Sequence, residues 1–319
     1  MIVSSTAGFM KQTAVVTGAS GFVGSNIVRR LLTDGYRVHA LVRKGGDPWR
    51  LVGLRNKLVL HEGVLDSKSR LTALMHKVRP QAVFHLATYG SYPTQIDLSR
   101  VIRVNVNGTA NLLESTLRVP YTRLIVAGSS SEYGKKDVPM REDDAVDPNN
   151  MYAAAKTAAT TLARTFARVY RKPVTIFRLF SVYGPGEEKG RLVRSVIESA
   201  LAGEPVRLAS GREARDLIYT ADIADAFVYT AGLKRQIPDG EIFNIGTGVQ
   251  TTIRELAQKV IRLTGSKSEI KLNAYAGRLW DAYTWKADTA KTRSEIGWTA
   301  TTGLTDGLKK TIDWYRSRV

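Results

Sequence analysis

The chain contains no cysteine and only four histidines among its 319 residues. Without thiols there can be no disulfide, no cysteine nucleophile and no cysteine-ligated zinc or iron–sulfur centre. With the histidines scattered as well, no metal is expected. Freedom from cysteine suits a reducing compartment, so a cytoplasmic location is expected. No stretch approaches the roughly 20 apolar residues of a membrane-spanning helix, and no membrane partner is expected. Residues 1–10 lack the basic start and long apolar run of a secretory signal and match no element of the fold read below. Acidic residues are also scarce, 29 against 47 Lys plus Arg, which leaves a net charge of +18. Such a field attracts anions. Yet the basic residues form no run of five or more, so the reading is a generally basic surface and not a nucleic-acid-binding arm. What is present is ordinary for a globular protein: 43% hydrophobic and 24% charged residues, enough to bury a sizeable core.

Along the chain, short apolar strands alternate with amphipathic helices. Residues 13–17 read as a buried strand, followed by a glycine-rich turn. A helix comes next, with Phe22, Val23, Ile27, Val28, Leu31 and Leu32 at helical spacing. Strands are expected at 38–42, 58–60, 82–86, 124–127 and 174–180, with helices near 67–78, 96–118 and 152–170. Such alternation argues for an α/β fold, a doubly wound parallel (Rossmann) sheet with helices on both faces. Past Gly184-Pro185-Gly186 the pattern changes to a helix near 190–202, a strand at 205–209 and mixed segments. The expected division is a dinucleotide-binding part over 1–175 and a smaller C-terminal α/β substrate-binding region over 176–319. Residues near 217–247 are expected to return to the first part.

The turn Gly18-Ala19-Ser20-Gly21-Phe22-Val23-Gly24 sits between strand and helix, the context in which a glycine pattern carries meaning. Gly18 permits a tight turn, Gly21 lets backbone approach a pyrophosphate at the helix N-terminus, and Gly24 allows close helix–strand packing. At the end of the second strand, where an acidic residue would pair with ribose hydroxyls, the chain has Val42 followed by Arg43 and Lys44. A cationic fork there suits a 2′-phosphate. NADP is therefore the favoured cofactor, with NAD the alternative. Tyr152 and Lys156 stand four residues apart, so on a helix they share a face. A nearby ammonium and an oxidised nicotinamide lower the pKa of a tyrosine, which can then exchange a proton with an alcohol or carbonyl oxygen as hydride moves.

These segments resemble short-chain dehydrogenases/reductases of the extended type, the NAD-dependent epimerase/dehydratase family, and the resemblance runs along nearly the whole chain. It is carried by the glycine turn, His85-Leu86-Ala87, Asn105-Val106-Asn107-Gly108-Thr109, Tyr152-Ala-Ala-Ala-Lys156, Arg178-Leu-Phe-Ser181-Val-Tyr-Gly-Pro185, Arg215-Asp216-Leu-Ile-Tyr219 and Asn244-Ile-Gly-Thr-Gly248. It implies that Tyr152, Lys156 and Ser129 are catalytic, Ser129 binding the reacting oxygen, with Ser130 the alternative if the loop is one residue shorter. Cofactor contacts are implied for Gly18, Ser20, Gly21, Phe22, Val23, Gly24, Arg43, Lys44, Asp66, Leu86, Ala87 and Asn105, with Tyr152 and Lys156. Substrate contacts are implied for Thr88, Ser130, Ser131, Ser181, Arg191, Arg215 and Arg278, the three arginines as a diphosphate clamp. Ser181 departs from the Asn that many sugar-nucleotide members carry there.

The serine loop separates possible reactions. Sugar 4,6-dehydratases of this architecture place Asp-Glu after the catalytic Thr, whereas this chain has Ser130-Ser131, so dehydration is disfavoured. Ser131 falls where some 4-keto-sugar epimerase/reductases carry a second acid/base. Together with the cationic strand end, the pattern is closest to NADPH-dependent reductases of a nucleotide-diphospho-4-keto-6-deoxy sugar, with Tyr152 the proton donor. A nucleotide-sugar 4-epimerase with retained NAD is the first alternative, and a reductase of a flavonoid-type ketone another. From a different class comes a non-catalytic protein binding dinucleotide or nucleic acid. The resemblance also implies a homodimer paired through the helices near 96–118 and 152–170.

Overall fold

The computed structural model describes residues 12–63, 65–92, 94–276 and 282–318. The chain opens with β1 (Thr13–Thr17), α1 (Phe22–Thr33) and β2 (Arg37–Val42). A 3₁₀ stretch (Trp49–Lys57) leads to β3 (Leu58–Glu62), α2 (Lys68–Val78) and β4 (Ala82–His85). Then come α3 (Leu98–Ile102), α4 (Gly108–Ser115), β5 (Arg123–Ser129), α5 (Met151–Tyr170), β6 (Val174–Leu179) and β7 (Ser181–Tyr183). The C-terminal part adds α6 (Leu192–Leu201), β8 (Val206–Arg207), β9 (Ala214–Tyr219), α7 (Thr220–Ala231), β10 (Glu241–Ile245) and β11 (Gln250–Thr252). It closes with α8 (Ile253–Thr264), β12 (Ile270–Lys271) and α9 (Leu304–Arg316).

Seven strands form one parallel sheet in the order β10-β6-β5-β4-β1-β2-β3. Because side chains alternate across a strand, the central strands are apolar on both faces. Ala14, Val16, Val38, Phe84 and Phe177 pack with α1 and α7, whereas Val15, Leu41, Val83, Leu124 and Ile176 pack with α2, α4 and α5. This is the doubly wound α/β architecture expected from the alternation. On the α1 face, Phe177 meets Phe227 of α7 edge-on at a centroid distance of 5.0 Å.

The chain leaves the large sheet after Leu179, not at 175, because β6 stays paired with β5 and β10 over its whole length. Both α7 and β10 lie within the doubly wound layers. Between the excursions, β7, β9 and β11 make a small sheet, β8 and β12 a two-stranded one, and α6, α8 and α9 close a separate core around Tyr183, Leu217 and Leu256.

The helix expected over 96–118 is shorter and broken. A π-helical turn (Arg103–Asn107) separates α3 from α4, a distortion common near functional sites. It turns the Asn105 amide onto the loop before it: Oδ1 accepts from the Thr88 hydroxyl at 2.9 Å and the Tyr89 amide at 3.1 Å, and Nδ2 donates to the Tyr89 carbonyl at 2.7 Å. Among the described residues no helix is long and apolar enough to cross a membrane.

Candidate active site

A cleft of about 1750 Å³ runs past the carboxyl ends of the large sheet and under the C-terminal part. It opens where β1 lies between β2 and β4, the point at which strand order reverses. Open α/β sheets bind ligands at such switch points.

One wall is mainly backbone. Gly18 has φ +64, and a Cβ there would lie 2.6 Å from the Ala87 amide nitrogen; a Cβ on Gly24 would lie 2.2 Å from the Gly18 carbonyl oxygen. α1 begins at Gly21 with no side-chain cap and no acidic residue in its first turn. Its end amides are thus left to an anion, where the helix dipole also favours negative charge. These features fit a dinucleotide pyrophosphate: the glycines let the turn close tightly on its own backbone and on residues 86–87, and the donors are fixed. Ser20, Phe22, Val23, Arg43, Lys44, Asp66, Leu86 and Ala87 line the same cleft, as does Asp47, which composition gave no reason to single out. Asn105 is buried and committed to the 88–89 loop, so the structure places it behind the wall. His85 is likewise structural. Its ring joins Thr17 at 2.7 Å to Thr109 at 2.9 Å, and burial beside Lys156 lowers its pKa to about 3, which keeps the imidazole neutral.

The opposite wall brings Ser129, at the end of β5, to Tyr152 and Lys156 in the first turns of α5. Asn150 caps that helix, accepting the Ala153 amide at 2.9 Å, and so sets the phase of both side chains. The Ser129 hydroxyl lies 2.7 Å from that of Ser131. Ser130, by contrast, is buried and accepts the indole N–H of Trp285 at 3.0 Å.

The electrostatics differ from the sequence argument, in which Lys156 lowers the pKa of Tyr152. The Lys156 amine donates to the Ala127 carbonyl, and burial, opposed by the Glu132 charge, lowers its pKa to about 8. Burial raises the Tyr152 phenol above its ordinary value, while the Ser129 hydroxyl, the Arg191 charge and the Thr88 hydroxyl pull it back down. Tyr152 therefore rests as a protonated phenol, ready to donate.

Glu132, behind the serine loop, is a buried carboxylate that the sequence argument left without a role. It is 0% exposed, pairs with Arg178 Nε at 2.9 Å, and accepts from the Ser129 amide at 2.8 Å and the Thr160 hydroxyl at 3.0 Å. Burial raises its pKa against the Arg178 charge. With its oxygens so engaged it braces the serine loop from behind.

Beyond the serines, Thr88, Ser181, Arg191 and Arg215 line the cleft; Arg278 lies outside the described residues. Arg215 stacks over Trp285 at 5.4 Å, and Arg191 over Tyr92 at 5.1 Å. Asp216 is buried and does not line the cleft. It accepts from the Thr247, Gly248 and Ala287 amides at 2.8, 2.9 and 3.1 Å, which draws the 244–248 turn and the Trp285 segment to the cleft. Trp285 and the buried Glu187 also line it. No spacing rule signals either, since each acquires a role only through contacts with distant segments.

The chain's own groups can hold an alcohol or carbonyl oxygen at Ser129 and move one proton at the Tyr152 Oη. Lys156 sets the local field and Glu132 keeps the serine loop rigid. A bound nicotinamide supplies the hydride acceptor or donor and, when oxidised, a positive charge that favours phenolate.

The combination of this switch-point cleft with a Tyr–Lys pair on the following helix defines the extended short-chain dehydrogenases/reductases, and the chain is an enzyme of that class. Residues 14–246 match the model of the NAD dependent epimerase/dehydratase family, and the chain belongs to that family. It is 31% identical to a UDP-glucose 4-epimerase of Mycolicibacterium smegmatis, over 95% of this chain and 98% of that one. Among solved structures, UDP-glucose 4-epimerase from Thermotoga maritima with UDP-glucose superposes with a TM-score of 0.88 at 28% identity, covering 96% of this chain and 99% of that one. MoeE5 in complex with UDP-glucose and NAD gives a TM-score of 0.84 at 32% identity, covering 96% and 99%.

Proposed function

We propose that the protein is an NAD-dependent 4-epimerase of a UDP-hexose, the reading first held as the alternative to an NADPH-dependent reductase. With an oxidised nicotinamide beside it favouring phenolate, Tyr152 would take the proton from the C-4 hydroxyl as the C-4 hydride leaves to the cofactor, and would give it back when that hydride returns to the other face of C-4. The observation that carries this reading is the 31% identity, over nearly the whole chain, to a UDP-glucose 4-epimerase, while the engagement of Glu132 argues against dehydration. With that carboxylate locked to Arg178, the serine loop offers oxygen-binding hydroxyls and no free acid for elimination. The relatives bearing UDP-glucose and NAD support the same choice. Val42-Arg43-Lys44 remains the argument for NADP, but Asp47 and Asp66 border the same end of the cleft and offer carboxylates to ribose hydroxyls. Arg191 and Arg215 are assigned to the diphosphate. Exposed Leu98 and Ile102 on α3 and Leu162 on α5 support pairing of these helices in a homodimer.

The test is to denature the purified protein and assay released nucleotide, then to incubate the native protein with UDP-glucose or UDP-galactose and no added cofactor. Retained NAD and interconversion of the two sugars are expected. Oxidation of NADPH in step with loss of a 4-keto sugar, without interconversion, would restore the reductase.

A further inference from the structure

The two sides of the cleft are joined by one buried guanidinium. Arg50 lies in the 3₁₀ stretch after β2, with its side chain 5% exposed. Its Nε donates to the Gly186 carbonyl at 2.9 Å and its Nη1 to the Ser20 carbonyl at 3.3 Å. Nη2 lies 2.9 Å from Glu188 Oε1, an ion pair whose angle falls outside hydrogen-bonding geometry. The Trp49 ring lies 4.3 Å from the guanidinium, and Arg29 of α1 donates to the Arg50 carbonyl at 2.5 Å. Ser20 belongs to the glycine turn. Gly186 and Glu188 belong to the turn that leads from β7 into Arg191 and α6 and carries Glu187.

Burying a guanidinium carries a desolvation cost that an apolar side chain of similar volume avoids. Packing alone therefore does not account for an arginine here. Its planar fork holds separate acceptors on three nitrogens in fixed directions, whereas a lysine offers a single nitrogen with rotatable donors. On one side those acceptors are cofactor-turn backbone, and on the other they are the substrate-side turn.

Building on the dinucleotide-dependent reading above, we propose that Arg50 is a positioning residue that couples occupancy of the glycine turn to the order of the 184–191 turn. Cofactor bound against Ser20 then stiffens the wall that holds Glu187 and Arg191. By linkage, a ligand on that wall holds the cofactor in place. An epimerase needs this, because the hydride must be returned before the cofactor leaves.

The experiment is amide hydrogen exchange over residues 184–191 of the full chain, stripped of nucleotide, with and without saturating NAD. Wild type is compared with Arg50→Met and Arg50→Lys, and thermal melts establish that each variant is folded. In wild type NAD should slow exchange in this turn by about ten-fold or more, and both variants should lose that protection. If Arg50→Met does not fold, Arg50→Lys decides alone. Full NAD-dependent protection in a folded variant, or none in wild type, overturns the proposal. Failure of UDP-sugar interconversion with protection intact would instead overturn the epimerase reading and leave the joint standing.

Discussion

On the glycine-turn side of the cleft the exposed groups are main-chain ones, the amides that open α1, held in a turn whose packing leaves no room for a Cβ on Gly18 or Gly24. On the substrate side they are side chains, Arg191, Arg215, Trp285 and Glu187, carried by segments as far apart as α6, β9 and the residues after 281. The first wall is a local object, built within one strand–turn–helix unit. The second exists only after β7, β9 and β11 have formed their own sheet and Asp216 has gathered the 244–248 turn and the Ala287 amide. The two walls should therefore fail differently: the backbone wall when an atom is added, the side-chain wall when one is removed or changes charge.

Tyr152→Phe should show the largest effect. Losing the proton-transfer group costs roughly 10²–10⁴ in kcat, while NAD content and thermal stability stay near wild type because the ring is kept. A variant that turns over normally would remove Tyr152 from the chemistry.

Gly24→Ala should come next and should strike the other wall. The added methyl falls 2.2 Å from the Gly18 carbonyl oxygen, which is backbone and cannot step aside. We expect NAD affinity to drop about 100-fold, some 3 kcal/mol on the affinity scale, measured by calorimetric titration. UDP affinity in the absence of NAD should change far less. Equal losses for both ligands would mean that the two walls are not separable in this way.

The smallest effect is a pH dependence on the substrate wall. Glu187 is 4% exposed, and burial pushes its pKa up to about 7 against the pull of Arg191. Between the ordinary carboxylate value and 7 the folded chain holds this proton and the unfolded chain has released it. Stability from this group is thus present at low pH and is lost as pH rises through 7. From pH 5.5 to 7.5 wild type should lose about 2 kcal/mol that Glu187→Gln keeps, read from denaturant unfolding at each pH. Parallel stability curves for the two proteins would show that Glu187 is charged throughout.

The sequence by itself determined whatever depends on near neighbours. Strand–helix alternation placed the doubly wound sheet, since a parallel strand buried on both faces must be apolar throughout. The Gly18–Gly24 spacing marked the tight turn between β1 and α1, and the four-residue spacing of Tyr152 and Lys156 placed them on one helix face. Only the tertiary structure decided that Lys156 faces Ala127, that Asn105 and His85 hold the framework together, that Glu132 is locked to Arg178, and that Arg50 joins the walls. The physical reason is that the charge and hydrogen-bonding state of a buried polar group are set by whatever surrounds it. For Glu132 and Arg178, 46 residues apart, and for Arg50 and Gly186, 136 apart, those surroundings do not exist until the chain has folded.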